Sequence, residues 1–309
     1  MKITVIGPGA MGLLYGAKLS AVCDTAVIGN NKANIDAINT NGVTIKRNGS
    51  EAWFSPKAYL NGAYPDKADL VIMFTKGYLT ETALAENKNI LTDDTYIMTL
   101  QNGAGHENIL QKFADKKHIL IGTTQQGSSR ENAYTIVNSG LGDTVFGSLL
   151  SDFDKSEEIC KIFEKSGFPC SYSDDIYKMI WNKLMINASS SVLSGILQVN
   201  QGFVAQDKNA WERCQILIRE ICDTANAQGY DFDKDEQCER IYKHLLAAPD
   251  GYTSIYSDLK NGRKTEVDVI SGAVVSAAQK AGIAVPEQEK AVKEVHDIET
   301  RNKERGICR

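Results

Sequence analysis

The stretch Ile3-Thr4-Val5-Ile6-Gly7-Pro8-Gly9-Ala10-Met11-Gly12 decides the fold. Four β-branched residues read as a short strand, the glycines follow at once, and Ala10–Ala21 has the spacing of a helix. A GxGxxG turn between a strand and a helix start is a phosphate-binding turn for a dinucleotide. Gly7 allows the tight turn, Gly9 lets backbone approach a diphosphate, and Gly12 permits close helix–strand packing. The helix N-terminus adds positive partial charge, so Ala10 and Met11 join the three glycines as cofactor-binding positions. Pro8 is compatible, because that turn residue need not donate a hydrogen bond.

Working outward, Thr25–Ile28 reads as a second strand, followed by a helix from Ala33 to Thr40 that Asn41-Gly42 closes. Val43–Lys46 and Ala52–Phe54 flank Asn48-Gly49, a hairpin signal. Asp69–Thr75, Thr95–Leu100 and His118–Gly122 are nearly continuous apolar runs, as strands buried on both faces require. Strands alternating with helices argue for a parallel sheet covered on both sides. Thr135–Val137 and Thr144–Phe146 read as a further hairpin, and Lys155–Lys165 as a helix ended by Gly167. From Asp174 onward helical periodicity dominates, broken at Gly202, Gly229, Asp250-Gly251 and Asn261-Gly262. The expected class is α/β. A Rossmann-type N-terminal domain with a mostly parallel sheet spans 1–172, and an all-α substrate-binding and catalytic domain spans 173–309.

The 309 residues are enough for two such domains, each with its own core. Against 39 acidic residues stand 34 Lys and Arg, a net charge of −5, with no basic block longer than two or three residues. That balance argues against nucleic acid and acidic membrane surfaces as partners. The cysteines at 23, 160, 170, 214, 222, 238 and 308 are odd in number and include no CxxC, so neither a disulfide framework nor a zinc knuckle is readable. No metal is expected, since the four histidines show no HxxxH or HExxH pattern. A GxSxG elbow is likewise absent, Gly127-Ser128-Ser129 failing at the last glycine. Met1-Lys2 runs straight into a strand and no long apolar window follows, so the expected location is a reducing cytoplasm.

The end of the second strand bears on the cofactor. An NAD site usually carries an acid there for the ribose hydroxyls, whereas this chain has Gly29-Asn30-Asn31-Lys32. Asn31 and Lys32 would suit a 2′-phosphate, although the two asparagines can equally cap the next helix. The segment Asp174–Leu197 reads as one long helix whose Ile176, Ile180, Leu184 and Ala188 form an apolar face. Lys183, Asn187 and Ser191 fall at i, i+4 and i+8 and make a polar row beside it. The neighbours Trp181, Met185 and Ile186 leave the helix apolar almost all round. A lysine there faces a cleft, where its pKa can be tuned for acid catalysis. A second polar cluster, from Ser254 and Asp258 to Glu266 and Asp268, surrounds Asn261-Gly262.

Taken in order, these pieces resemble ketopantoate reductase (2-dehydropantoate 2-reductase), within the 6-phosphogluconate-dehydrogenase-like enzymes. The likeness runs through MKITVIGPGAMG, Thr75-Lys76, Gln101-Asn102-Gly103-Ala104-Gly105, Gly122-Thr123-Thr124 and Ile180-Trp181-Asn182-Lys183-Leu184 with Asn187. It continues through Ser254, Asp258, Thr265-Glu266-Val267-Asp268 and Gly282-Ile283-Ala284-Val285-Pro286. The resemblance implies a dinucleotide and a 2-keto acid meeting in a cleft between the two domains. It also implies that Lys76, Asn102 and Ser128 contact the cofactor, that Lys183 donates the proton, and that Glu266 closes the site as a catalytic and cofactor-binding acid. Asn187, Ser191, Ser254 and Asp258 are then substrate-binding candidates.

Two departures stand out. Where the family usually has an Arg for the 2′-phosphate, this chain has Asn30, Asn31 and Lys32; where it has a second substrate Asn, this chain has Ser191. The expected activity is NAD(P)H-dependent reduction of 2-dehydropantoate to pantoate in pantothenate biosynthesis, with NADP as cofactor and NAD left open. The alternatives are an NADH-dependent D-2-hydroxyacid dehydrogenase for other branched or aromatic 2-keto acids, and a non-catalytic dinucleotide-binding sensor. The partner expected is the small-molecule 2-keto acid, with a homodimer left open.

Overall fold

The computed structural model describes residues 1–150 and 153–307; Cys308 lies outside them. They divide into two compact units, Met1–Gln101 with His106–Ile176, and Asn102–Gly105 with Tyr177–Arg309.

In the first unit the strands are β1 (Ile3–Ile6), β2 (Thr25–Gly29), β3 (Val43–Arg47), β4 (Ser50–Phe54), β5 (Lys57–Leu60) and β6 (Leu70–Met73). They continue as β7 (Tyr96–Thr99), β8 (Ile119–Thr124), β9 (Gly127–Arg130), β10 (Thr135–Gly140), β11 (Thr144–Ser148) and β12 (Cys170–Tyr172). Helices α1 (Ala10–Ser20), α2 (Lys32–Asn41), α3 (Thr80–Glu86), α4 (Glu107–Leu110) and α5 (Ser156–Lys165) alternate with them.

The main sheet has the order β5-β2-β1-β6-β7-β8-β11-β12. It is parallel from β5 to β8; β11 runs antiparallel to β8 and parallel to β12. This is the doubly wound arrangement, with strand order reversing direction beside β1. The apolar runs of β1, β2 and β6 are buried throughout, as strands covered on both faces must be. Helix α1 is fastened onto the sheet by Tyr15, whose hydroxyl bonds Thr124 and Thr144 at 2.8 and 2.6 Å and whose ring stacks on Phe168 at 4.1 Å. Gly16 brings α1 so near β2 that an added Cβ would meet Val27 at 2.5 Å.

A small second sheet has the order β4-β3-β10-β9. The β3–β4 hairpin forms as its Asn-Gly signal predicts, with Asn48 and Gly49 at φ +48° and +78°, the left-handed pair a tight hairpin requires. The second expected hairpin does not form. β10 pairs with β3 and β9, while β11 joins the main sheet beside β8. Gly140-Leu141-Gly142 carries the chain from one sheet to the other, and a Cβ on Gly142 would stand 2.4 Å from that of Gln125.

The second unit contains helices and no strand among the described residues. They are α6 (Ile176–Ile186), α7 (Val192–Leu197), α8 (Gln201–Gln206), α9 (Lys208–Asn226), α10 (Lys234–Ala247), α11 (Ser254–Lys260), α12 (Ser271–Ala281) and α13 (Pro286–Glu304). The long helix expected over 174–197 is helical from Ile176 to Leu197, with a π-helical turn, Asn187–Ser191, between its α6 and α7 parts. Its expected apolar face is intact, with Ile176, Ile180, Leu184 and Ala188 all buried. None of the helices is long and apolar enough to cross a membrane. The cysteines of the described residues are all free thiols.

Candidate functional site

Each unit assembles one group of candidate residues. In the first, the turn after β1 is built by three glycines, of which Gly7 and Gly12 tolerate no substitute for steric reasons. Gly7 has φ +102°, and a Cβ there would lie 2.6 Å from the Thr75 amide nitrogen. A Cβ on Gly12 would lie 2.0 Å from the Gly7 carbonyl oxygen. Gly9 differs: nothing lies within 4 Å of its Cβ position, so its backbone is open to an approaching group. Gly9 is the N-cap of α1 and offers no side-chain cap. The first amides of the helix are therefore available to an anion. These features fit a dinucleotide diphosphate.

Around this turn stand the other first-unit candidates. Ser128, on β9, donates from Oγ to the Ala10 carbonyl at 3.3 Å. Lys76 follows the loop from β6 that Gly7 abuts at Phe74 and Thr75. The buried Gln101 side chain fixes that loop, donating from Nε2 to the Thr75 carbonyl at 2.7 Å and to the Thr80 hydroxyl at 2.8 Å. At the end of β2, Asn31 caps α2 by accepting from the Asn34 amide at 3.0 Å. Lys32, on the first turn, reaches Asp36 at 2.6 Å on an exposed surface. Both side chains proposed for a 2′-phosphate thus have local partners.

The second unit contains Lys183, Asn187, Ser191, Ser254, Asp258 and Glu266, together with the loop Asn102–Gly105. Lys183 is half-buried near the end of α6, and Glu266 is buried just before the 3₁₀ turn Val267–Val269. Desolvation pulls the Lys183 ammonium down from its usual 10.5 to about 8, and the charge of Glu266 works against that shift. The Glu266 backbone is set by its neighbour: Thr265 donates from both its amide and its hydroxyl to Glu299 of α13, each at 2.7 Å. The Asn102 loop docks on the same stretch. Gly103, at φ +98°, leaves room for the Val269 carbonyl, which accepts from the Ala104 amide at 2.9 Å.

The π turn places the polar row. In an unbroken α-helix, eight residues overshoot two turns by roughly 80°, so Ser191 would drift off the line of Lys183. The extra residue of a π turn takes up much of that drift. The carbonyls that such a turn releases are taken by side chains. Ser189 donates to the Met185 carbonyl, Ser190 to that of Ile186 at 3.1 Å, and the fully buried Gln288 of α13 to that of Ala188 at 2.9 Å. Gln288 is positioned in turn by Glu220, which accepts from the Glu287 and Gln288 amides at 2.9 and 2.8 Å.

Nearby, Thr253 caps α11 and donates to the Ser191 carbonyl at 3.2 Å, which joins Ser191 to the helix start carrying Ser254. Ser254 itself is exposed. Asp258 is buried and accepts from Arg263 Nε at 2.8 Å, so at least part of its carboxylate holds the turn that follows α11. Sequence reasoning missed Gln288, Glu299 and Thr253, which act through backbone contacts. The run Ser189-Ser190-Ser191 was the one signal, since consecutive serines compete for helix carbonyls.

Comparison with known proteins yields one family. The model described as ketopantoate reductase PanE/ApbA matches residues 3–151, and its C-terminal counterpart matches residues 175–299. The 2-dehydropantoate 2-reductase of Lactococcus lactis subsp. lactis (strain IL1403) is 28% identical over 306 residues, 97% of this chain and 98% of that protein. Among solved structures, a D-mandelate dehydrogenase with NADH and anilino(oxo)acetate is 27% identical with a TM-score of 0.92, covering 98% of this chain and all of the other. A putative 2-dehydropantoate 2-reductase from Enterococcus faecalis is 29% identical with a TM-score of 0.76, covering 97% and 99%.

Proposed function

Because the chain belongs to the ketopantoate reductase family, we propose that it reduces 2-dehydropantoate to pantoate, with NADPH as the hydride donor. The observation that carries this reading is Lys183, half-buried and brought down to about 8 in the same unit as Glu266. When bound, the reduced nicotinamide supplies hydride to the carbonyl carbon of the 2-keto acid. Negative charge develops on the carbonyl oxygen, and an ammonium held in a partly desolvated site stabilises it better than one in water. Lys183 then gives up a proton from Nζ: an O–H bond forms, an N–H bond breaks, and solvent recharges the amine. A pKa of about 8 keeps the group protonated at neutral pH while easing its loss.

The charge of Glu266 favours the ammonium and opposes premature deprotonation. Asn187 and Ser191, at the two ends of the π turn, and Ser254, at the start of α11, offer amide and hydroxyl groups to orient the substrate carboxylate or hydroxyl. Asp258, through Arg263, supports the helix that carries Ser254.

Loss of reduced-nicotinamide absorbance tests the reading, with NADPH and NADH in parallel against 2-dehydropantoate and a panel of branched and aromatic 2-keto acids. Turnover of 2-dehydropantoate at least tenfold more efficient with NADPH is the expected result. A second reading, NADH-dependent dehydrogenation of a D-2-hydroxy acid, draws support from the 27% identical D-mandelate dehydrogenase and from the pairing of Lys32 with Asp36. Preference for NADH and an aromatic keto acid would replace the first reading with this one. Cofactor binding without turnover of any keto acid would favour the sensor.

A further inference from the structure

We propose that Arg130, on β9, is a cofactor-positioning residue that forms a second wall of the diphosphate site and neutralises the charge bound at the glycine turn. The proposal rests on the dinucleotide reading above. Ser128 and Arg130 are two residues apart, so they project from the same face of β9. Ser128 donates to the Ala10 carbonyl at 3.3 Å, and Arg130 donates from one terminal nitrogen to the Pro8 carbonyl at 3.2 Å. One face of the strand therefore lies along residues 8–10, the segment whose amides begin α1.

The guanidinium is held in a fixed orientation. Its Nε donates to the Asn132 carbonyl at 2.7 Å, and its other terminal nitrogen to the Ala133 carbonyl at 2.9 Å. Three of the five guanidinium N–H groups end on backbone oxygens, which leaves two for a ligand. No carboxylate among the described residues pairs with Arg130. The adjacent Glu131 is taken by Lys46 at 2.7 Å. A guanidinium fixed by neutral carbonyls keeps its full charge for another anion, and its planar fork matches phosphate oxygens. The first turn of α1 carries no charged side chain, and Gly9 is open beside it. Within the turn and the first turn of α1, a diphosphate would meet backbone dipoles and no charged side chain.

The test is fluorescence titration of NADPH and NADH with the full chain and with Arg130→Ala, Arg130→Gln and Arg130→Lys, each checked for an unchanged circular dichroism spectrum. Arg130→Ala and Arg130→Gln should weaken both cofactors alike, on the order of tenfold or more. Arg130→Lys should fall between the parent and Arg130→Ala, because it keeps the charge and loses the planar fork that the backbone carbonyls orient. Glutamine can still donate to the Pro8 carbonyl, so parent-like binding by Arg130→Gln would reduce the residue to a brace for the turn and overturn the proposal. A loss confined to NADPH would also overturn it, by moving the contact to the 2′-phosphate. If the parent chain binds neither cofactor, the dinucleotide reading fails first and the proposal falls with it.

Discussion

The glycine turn of the first unit and the lysine group of the second solve opposite problems. The turn is made from backbone: Gly7, Gly9 and Gly12 work by what they lack, and the surrounding residues need only keep clear of them. The lysine group is made from side chains, and its geometry depends on residues far along the chain. Gln288 takes a carbonyl in the π turn, Glu220 positions Gln288, and Glu299 holds Thr265 beside Glu266. A backbone site is broken by adding atoms at a few positions, whereas a side-chain site can be loosened from many.

The sharpest break in this comparison is Lys183→Ala. It should lower kcat by roughly 10²–10⁴-fold, the usual contribution of a general acid, while cofactor affinity in a fluorescence titration stays within about threefold. The pH profile sharpens the point. With Lys183 near 8, kcat/KM should fall as pH rises through that value and the ammonium loses its proton, and the variant's residual activity should lack this descending limb.

Next in size is the contrast between two glycines of the same turn. Gly12→Ala drives a Cβ into the Gly7 carbonyl and should cost about 1–3 kcal/mol in denaturant unfolding, with loss of cofactor binding. Gly9→Ala meets nothing in the protein and should leave unfolding unchanged while still weakening the cofactor, because the added methyl occupies the ligand's approach. Equal effects on unfolding would contradict the assignment of separate roles.

A smaller effect should come from the remote support of the lysine group. Gln288→Ala leaves the Ala188 carbonyl without its buried donor and should cost about 1–3 kcal/mol. It should also reduce kcat severalfold, with NADPH affinity unchanged. Smallest of all is Lys32→Ala. Its partner Asp36 lies on an exposed helix turn, and such pairs contribute about 0.3–0.5 kcal/mol, so stability in denaturant unfolding should move by no more than that. A tenfold loss of NADPH affinity with NADH affinity unchanged would assign Lys32 to the 2′-phosphate.

The same contrast explains what could be read from the sequence. Strands β6, β7 and β8 announce themselves as apolar runs, and the phosphate turn as glycines at fixed spacing, because local composition dictates both. β9 was illegible: Gly127-Ser128-Ser129-Arg130 is polar and glycine-led, and it is a strand through pairing with β10. Thr135–Val137 and Thr144–Phe146 were correctly strand-like, yet which neighbour each would take depends on two sheets competing for them. Lys183 and Asn187 were visible as polar breaks in an apolar helix. The π turn between Asn187 and Ser191 was not, since one of its supporting donors lies 100 residues further on.

The excursion Asn102–Gly105 has a consequence for recombination. The chain passes between the two units three times, at 101/102, 105/106 and 176/177, so a single cut after Ile176 does not separate the units cleanly. A hybrid joining one relative's first 176 residues to another's remainder would graft a foreign four-residue plug onto Val269. Its Ala104–Val269 hydrogen bond would then depend on two lineages agreeing at Gly103, where no side chain fits. Exchangeable modules in this fold are therefore discontinuous in the gene, and residues 102–105 must travel with the helical unit.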